Sequence, residues 1–134
     1  VQAMQEKRQE EKKPARLGES EYRFACLVWQ NEPMASGQLV KLAAQEMGWK
    51  KSTTYTVLHK LIEKGILCNQ ESQVTSLVGQ SEVQRSESAA VVDKTFSGSL
   101  PGFVAAFLDG KTITPEEARQ IRQMVEAYEK GEKG

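Results

Sequence analysis

Apolar residues recur at helical spacing in two segments near the start of the chain. The first segment begins at Ser20, a serine suited to cap a helix, and ends before residues 31–33. Its broad apolar face consists of Tyr22, Phe24, Ala25, Leu27, Val28 and Trp29. The second segment begins at Ser36 and ends at Gly48. Its apolar positions are Leu39, Val40, Leu42, Ala43 and Met47.

A third helix is predicted from Lys51 or Ser52 to Lys64, where Gly65 provides a residue suited to a left-handed helix end. Its apolar stripe has the spacing i, i+3, i+4, i+7 and i+8 and consists of Thr54, Val57, Leu58, Leu61 and Ile62. The opposite face is polar and consists of Ser52, Thr53, Tyr55, Thr56, His59 and Lys60. The helix is therefore predicted to pack by one side and to present hydroxyl groups and a positive charge on the other.

Two short strands are predicted after the third helix, at residues 66–68 and 74–78, with a polar turn at 69–73. Three helices followed by a hairpin is the order of a winged helix-turn-helix. The predicted fold class is mainly α with a small β-hairpin wing (α+β). The predicted domain covers residues 17–79, and a flexible polar arm precedes it at residues 1–16.

Residues 80–134 return to helical patterns and are predicted to form a helical tail. After a weakly amphipathic segment and a break at 97–99, residues 100–108 are strongly apolar. Thr114 is then predicted to cap the last helix, with Pro115 at its first position and Glu117 in capping-box position. One narrow apolar edge runs along this helix. Because the core of a chain this small is modest, the pattern favours dimerisation through the tail.

Charge is balanced overall but not along the chain, which has 18 basic and 18 acidic residues. Residues 1–16 carry five basic and three acidic groups, and residues 17–69 carry six and five. Residues 70–96 carry two and four, and residues 97–134 carry five and six. The weakly positive N-terminal half permits DNA binding at that end of the molecule.

The composition predicts a cytoplasmic protein with no membrane insertion. No stretch approaches the ~18 apolar residues that a membrane span needs, and the charged N-terminus lacks a signal-peptide core. Cys26 and Cys68 lie far apart in apolar surroundings and are predicted to be buried free thiols, as expected in a reducing compartment.

The sequence contains no combination of residues typical of a catalytic site. His59 is the single histidine and has no nearby carboxylate or nucleophile, and the cysteines are too scattered for a metal cluster. The glycines are isolated and form no phosphate-binding loop. We therefore expect no enzyme activity, no catalytic residue, no metal and no cofactor.

The polar face of the third helix suits the major groove of DNA. Hydroxyl groups can bond to base edges and phosphates, threonine methyl groups can contact thymine methyl groups, and Lys60 can neutralise phosphate. The alternative is that these polar residues only form the solvent-exposed side of the helix and bind nothing. Threonine is a weak helix former, yet three of the five residues from 52 to 56 are threonines. Their use in a helix therefore favours a functional role over a purely structural one.

The third helix resembles the recognition helix of the penicillinase-repressor (BlaI/MecI/CopY) family. The matching residues are Trp49, Thr53, Thr56, Leu58, Lys60, Leu61, Lys64 and Gly65. Glu21 and Trp29 match the ends of the family's first helix. The segments 96–100, 103–108 and 114–117 match its dimerisation tail, so the resemblance covers roughly residues 17–130.

The resemblance implies a bacterial transcriptional repressor that binds double-stranded, palindromic operator DNA as a homodimer, with a regulon of the β-lactam-resistance type. Thr53 and Thr56 would read bases, and Ser52, Tyr55 and Lys60 would hold the backbone or base edges. Phosphate contacts would come from the arm and from Lys50 and Lys51, and His59 completes the DNA-binding set. The implied dimerisation residues are Phe96, Leu100, Phe103, Val104, Phe107, Leu108, Ile121, Val125 and Tyr128.

Three departures from the family pattern refine this expectation. The wing, residues 70–78, has no basic residue, although family wings usually carry basic and aromatic residues. The Cys-x-Cys metal hook of the copper-responsive members is absent, so copper sensing is not expected. In β-lactam-responsive members a membrane sensor-protease pathway leads to cleavage before a phenylalanine. The matching bond is Ala106–Phe107, with Ala in place of the usual Asn, and its alternative role is in the dimer core.

The uncharged wing and the zero net charge favour a second hypothesis, a dimeric winged-helix module for protein interaction with weakened DNA binding. The threonine and lysine face of the third helix favours the repressor. Salt-dependent binding to a DNA duplex separates the two, because phosphate contacts release counterions.

Overall fold

The computed structural model describes residues 16–131, so residues 1–15 of the predicted arm lie outside the described residues. The described part contains six helices and three strands. In chain order they are α1 (Glu19–Asn31), β1 (Met34–Ala35), α2 (Ser36–Met47), α3 (Lys51–Glu63), β2 (Leu67–Gln70), β3 (Gln73–Ser76), α4 (Gln80–Thr95), α5 (Leu100–Leu108) and α6 (Pro115–Glu129). The chain divides into two units, the first ending at Ala90 and the second beginning at Val91.

The core of the first unit is formed by the stripes that the helical spacing predicts. Phe24 and Val28 of α1, Leu39 of α2 and Leu58 and Leu61 of α3 are all buried. Further apolar residues are buried in the hairpin, in α4 and directly before the hairpin: Leu67, Val74, Val83 and Ile66. Fully burying one such side chain contributes about 1.5–3 kcal/mol. The predicted winged helix-turn-helix with mainly α and minor β structure is confirmed.

The sheet is antiparallel with strand order β1-β3-β2. Cys68 lies opposite Thr75 in the hairpin, and Met34 lies opposite Val74 across the β1–β3 pair. The hairpin turn consists of Glu71 and Ser72, whose φ values of 52° and 62° suit the tightest hairpin turns. The turn is therefore two residues long, so the strands begin and end differently from the predicted 66–68 and 74–78. The short strand β1 was not predicted.

Two predicted helix caps are wrong. The first helix is capped at Gly18 rather than Ser20, because the Glu21 carboxylate accepts a hydrogen bond from the Gly18 amide at 2.8 Å. Ser36 is the first residue of α2 rather than its cap, which is Ala35. The Ser36 side chain is buried, and its amide donates to the Ser72 carbonyl in the hairpin turn at 2.9 Å.

The second unit contains two helices whose starts are capped by side chains. Ser99 Oγ accepts from the Gly102 amide at 2.9 Å at the start of α5. Thr114 Oγ1 accepts from the Glu117 amide at 3.0 Å, while Glu117 Oε1 accepts from the Thr114 amide at 2.9 Å. The predicted capping box is confirmed.

Many large apolar side chains of the second unit are exposed. They are Leu100, Val104, Phe107, Ile113, Ile121, Met124, Val125 and Tyr128, with Val125 60% and Tyr128 64% exposed. Of the predicted dimerisation residues, Phe96, Phe103 and Leu108 are half-buried, and the other six are exposed. An open apolar groove of about 550 Å³ runs between α5 and α6 and is lined by Phe103, Phe107, Ile121 and Met124 among others. Met124 was not singled out in the sequence, although its spacing of three from Ile121 is the signal that finds it.

Cys26 and Cys68 are free thiols, as predicted, but both are half-buried rather than buried. None of the helices within residues 16–131 is long and apolar enough to cross a membrane.

Candidate nucleic-acid interface

The helix α3 turns a continuous polar face to solvent. Ser52, Thr53, Thr56, His59 and Lys60 are all exposed. At about 100° per residue these positions fall within about 120° of the helix circumference. The residues on the other side, Thr54, Leu58 and Leu61, are buried. The core therefore fixes which side of α3 is available to a partner.

Lysines lie on this face and at the start of the helix. Lys60 lies on the face, one helical turn beyond Thr56, and Lys50 and Lys51 are exposed at the start of α3. Seven of the eight predicted DNA-binding residues are thus exposed, five on one face of α3 and two at its start. The eighth, Tyr55, is half-buried.

Two threonines of α3 bond to the backbone of their own helix. Thr56 Oγ1 donates to the Ser52 carbonyl at 2.9 Å, and Thr54 Oγ1 donates to the Lys50 carbonyl at 3.1 Å. Because the Thr56 hydroxyl hydrogen is engaged, its oxygen remains able to accept a hydrogen bond. The chemistry that exposed Thr56 offers is therefore an acceptor beside a methyl group.

Tyr55 lies at the edge of the exposed face. Its ring packs against the core, and its hydroxyl donates to Ser36 Oγ at 3.2 Å. No local pattern predicts this contact, since the two residues lie on different helices, 19 positions apart.

The C-terminal end of α3 is tied to the start of α1. Lys64 Nζ donates to Glu21 Oε1 at 2.8 Å and to the Arg16 carbonyl at 2.9 Å. Burial of the Glu21 carboxylate raises its pKa, but hydrogen bonds from Lys64 and Gly18 and the charges of Lys64 and Lys60 outweigh that effect. The pKa of Glu21 is therefore lowered from its ordinary value of 4.5. This ion pair helps to hold α3 against α1.

Replacing Glu21 by Gln is expected to lower the free energy of unfolding by about 1 to 2 kcal/mol at pH 7. A lowered carboxylate pKa stabilises the folded state above the unfolded value, near 4.5, and this stability is lost as the pH falls through the folded-state pKa. The difference in the free energy of unfolding between wild type and Glu21→Gln, measured with urea, should therefore shrink as the pH falls below 4.5. Glu19→Gln, an exposed residue in the same helical turn, is the control. A difference independent of pH would contradict this role of the ion pair.

The wing offers no positive charge. The residues at its tip, Asn69, Gln70, Glu71, Ser72 and Gln73, are all exposed, and Glu71 is the single charged residue of the hairpin. A phosphate near the wing would thus meet amide and hydroxyl groups beside a carboxylate. Positive charge in this unit is available from α3 instead.

The chain is similar to known proteins along most of its length. The sequence model of the penicillinase repressor family matches residues 17–127. The penicillinase repressor of Bacillus licheniformis is 23% identical over 126 residues, which are 91% of this chain and 98% of that protein. The methicillin resistance regulatory protein MecI of Staphylococcus aureus is 19% identical over 113 residues, which are 81% of this chain and 92% of that protein.

Among solved structures, the solution structure of monomeric Bacillus licheniformis BlaI in complex with the blaP half-operator has a TM-score of 0.48 and 20% sequence identity. The aligned region covers 52% of this chain and 90% of the BlaI chain. The family match spans both the helix-and-hairpin unit and most of the helical tail. The chain therefore belongs to the penicillinase repressor family of winged-helix transcription regulators.

Proposed function

We propose that this chain is a transcriptional repressor that places α3 in the major groove of its operator. The observation that carries the proposal is the exposed face of Ser52, Thr53 and Thr56 on a helix that also exposes lysines and whose other side is held by the core. Threonine and serine side chains contact base edges and thymine methyl groups, while lysines neutralise phosphates. Family membership supports the same function, since the relatives are named as repressors and resistance regulators.

The proposed active form is a homodimer on a palindromic operator. The apolar groove between α5 and α6 and the exposed Ile121, Val125 and Tyr128 support it, because a second copy would remove these side chains from water. A two-fold dimer presents two α3 helices to two half-sites, one or more helical turns apart. The proposed regulon is of the β-lactam-resistance type, and the proposed site of action is the cytoplasm. Enzyme activity forms no part of the proposal.

Release of the operator by a sensor-protease pathway is part of the same proposal. The bond between Ala106 and Phe107 lies inside α5. A protease needs an extended segment, so cleavage requires the last turn of α5 to unwind first. Phe107 is 55% exposed and packs on Phe103, which leaves this turn with few buried contacts.

The second candidate function is a dimeric module for protein interaction. The absence of basic residues from the exposed wing tip favours it, because a wing without positive charge cannot neutralise DNA phosphates. In this interpretation the polar face of α3 is a solvated surface, and the apolar edges of α5 and α6 are the main binding surface.

Fluorescence anisotropy in a salt series tests the repressor against the interaction module. The probes are the duplex upstream of the gene that encodes the chain and a scrambled duplex of equal length. For a repressor we expect selective binding to the first duplex, with affinity falling steeply as salt rises. Equal and weak binding to both duplexes would overturn the repressor function and support the interaction module.

A further inference from the structure

Tyr55 differs from the other polar residues on α3. Its neighbours Thr53 and Thr56 are exposed, whereas Tyr55 is half-buried against the core. Its hydroxyl donates its hydrogen to Ser36 Oγ, a group within the same chain. A direct DNA contact that used this hydroxyl as a donor would first have to break that bond.

Ser36 is a junction of three elements. It is the first residue of α2 and is only 8% exposed. Its side chain accepts the bond from Tyr55 on α3, and its amide donates to the Ser72 carbonyl in the hairpin turn. The preceding residue, Ala35, pairs with Gln73 at the start of β3. A continuous path of hydrogen bonds therefore runs from α3 through the start of α2 to the tip of the wing.

We infer that Tyr55 is a positioning residue for DNA recognition, acting through Ser36 to set α3 against the start of α2 and the wing. This inference rests on the proposed repressor function and replaces the direct DNA contact that the sequence suggested for Tyr55. A wing without positive charge gains little from phosphate attraction, so its placement depends on bonds within the protein. The hydrogen bond from the Tyr55 hydroxyl to Ser36 connects the recognition helix α3 to the start of α2, which in turn is bonded to the wing.

Tyr55→Phe and Ser36→Ala test the inference by removing either end of the bond. The measured quantity is the ratio of affinities for the upstream and scrambled duplexes, at one salt concentration, with folding checked by circular dichroism. Each variant should lower this ratio by about three- to tenfold, the range expected for one hydrogen bond. The double variant should lose no more than either single variant, because both changes remove the same interaction.

Tyr22→Phe is the matched control. Tyr22 lies on α1 in the same unit, and its hydroxyl accepts bonds from Gln80 and Gln84 at 3.1 and 3.2 Å. This variant loses a tyrosine hydroxyl but should keep the wild-type affinity ratio. If Tyr55→Phe behaves like Tyr22→Phe, the hydroxyl of Tyr55 serves stability alone and the inference is wrong.

Two further outcomes are distinguishable. A loss of selectivity in Tyr55→Phe but not in Ser36→Ala would mean that Tyr55 contacts DNA directly, which overturns the positioning role. A wild-type protein without selectivity would instead overturn the repressor function, and the inference with it. A positioning role also requires that Tyr55→Phe shift the amide NMR signals of Ser36 and Ser72 in the free protein.

Discussion

Replacing Thr53 and Thr56 together by alanine is expected to reduce affinity for the operator by about 100-fold or more, towards that for a scrambled duplex. Each lost base contact costs about 1–3 kcal/mol, and a dimer loses each contact twice. Both side chains are exposed, so no core contact is lost. Alanine is also the better helix former, so the variant should be at least as stable as wild type. The same anisotropy titration measures the loss, and urea unfolding measures stability.

The salt dependence separates base reading from general attraction to DNA. The double variant keeps Lys50, Lys51 and Lys60. The slope of log affinity for the scrambled duplex against log salt concentration should therefore match that of wild type. Thr95→Ala, at the exposed end of α4, provides a control with the same chemical change far from α3 in sequence. Undiminished selectivity in the double variant would show that α3 does not read the bases through these threonines.

Val125→Asp is expected to convert the dimer to a monomer and to lower affinity for the full operator by about 100-fold or more. Two linked half-site contacts gain a factor of this order over one, and the monomer loses that gain. A carboxylate at position 125 would be buried against an apolar surface in the dimer, which is costly for an unpaired charge. Sedimentation equilibrium measures the mass, and anisotropy measures binding to full and half operators.

Val125 is a sharper test of the dimer than Phe103. Phe103 is half-buried and packs edge-to-face on Phe96 with ring centres 5.6 Å apart, so an aspartate there would disturb its own unit. Val125 is 60% exposed, so its replacement should disturb its own unit little. Gln123→Asp, exposed on the same helix and about 160° around it from Val125, adds the same charge and should leave the dimer unchanged. A Val125→Asp protein that still sediments as a dimer would exclude this edge of α6 from the interface.

The helices of the winged-helix unit were predictable because their signals are local. The apolar stripe of α3 recurs every three or four residues, and the structure buries Leu58 and Leu61 as that spacing requires. The start of α6 was predictable for the same reason, since Thr114 and Glu117 cap the helix from within four residues. The exposed face of α3 was predictable as well, because polar residues opposite an apolar stripe are typical of the solvent-facing side of a helix.

The first two helix starts were not predictable from serine residues alone. Ser20 and Ser36 both have a side chain that commonly caps helices. At the start of α1, however, the Glu21 carboxylate accepts a hydrogen bond from the Gly18 amide. Ser36 accepts a hydrogen bond from Tyr55 through its side chain and donates one to Ser72 through its amide. The contact of Glu21 with the Gly18 amide joins residues three positions apart, so the start of α1 was open to prediction from these two residues. The contacts of Ser36 with Tyr55 and Ser72 join residues far apart in the chain, and local composition does not contain that information.

The sequence by itself determined the three-helix and hairpin order, the polar face of α3, the capping box of α6 and the apolar edge of the tail. These are properties of residues within a few positions of one another. Only the tertiary structure decided the pairing of β1 with β3, the ion pair of Lys64 with Glu21, and the bond from Tyr55 to Ser36. These contacts join residues 19 to 43 positions apart, and a contact at such separation leaves no periodic pattern along the chain.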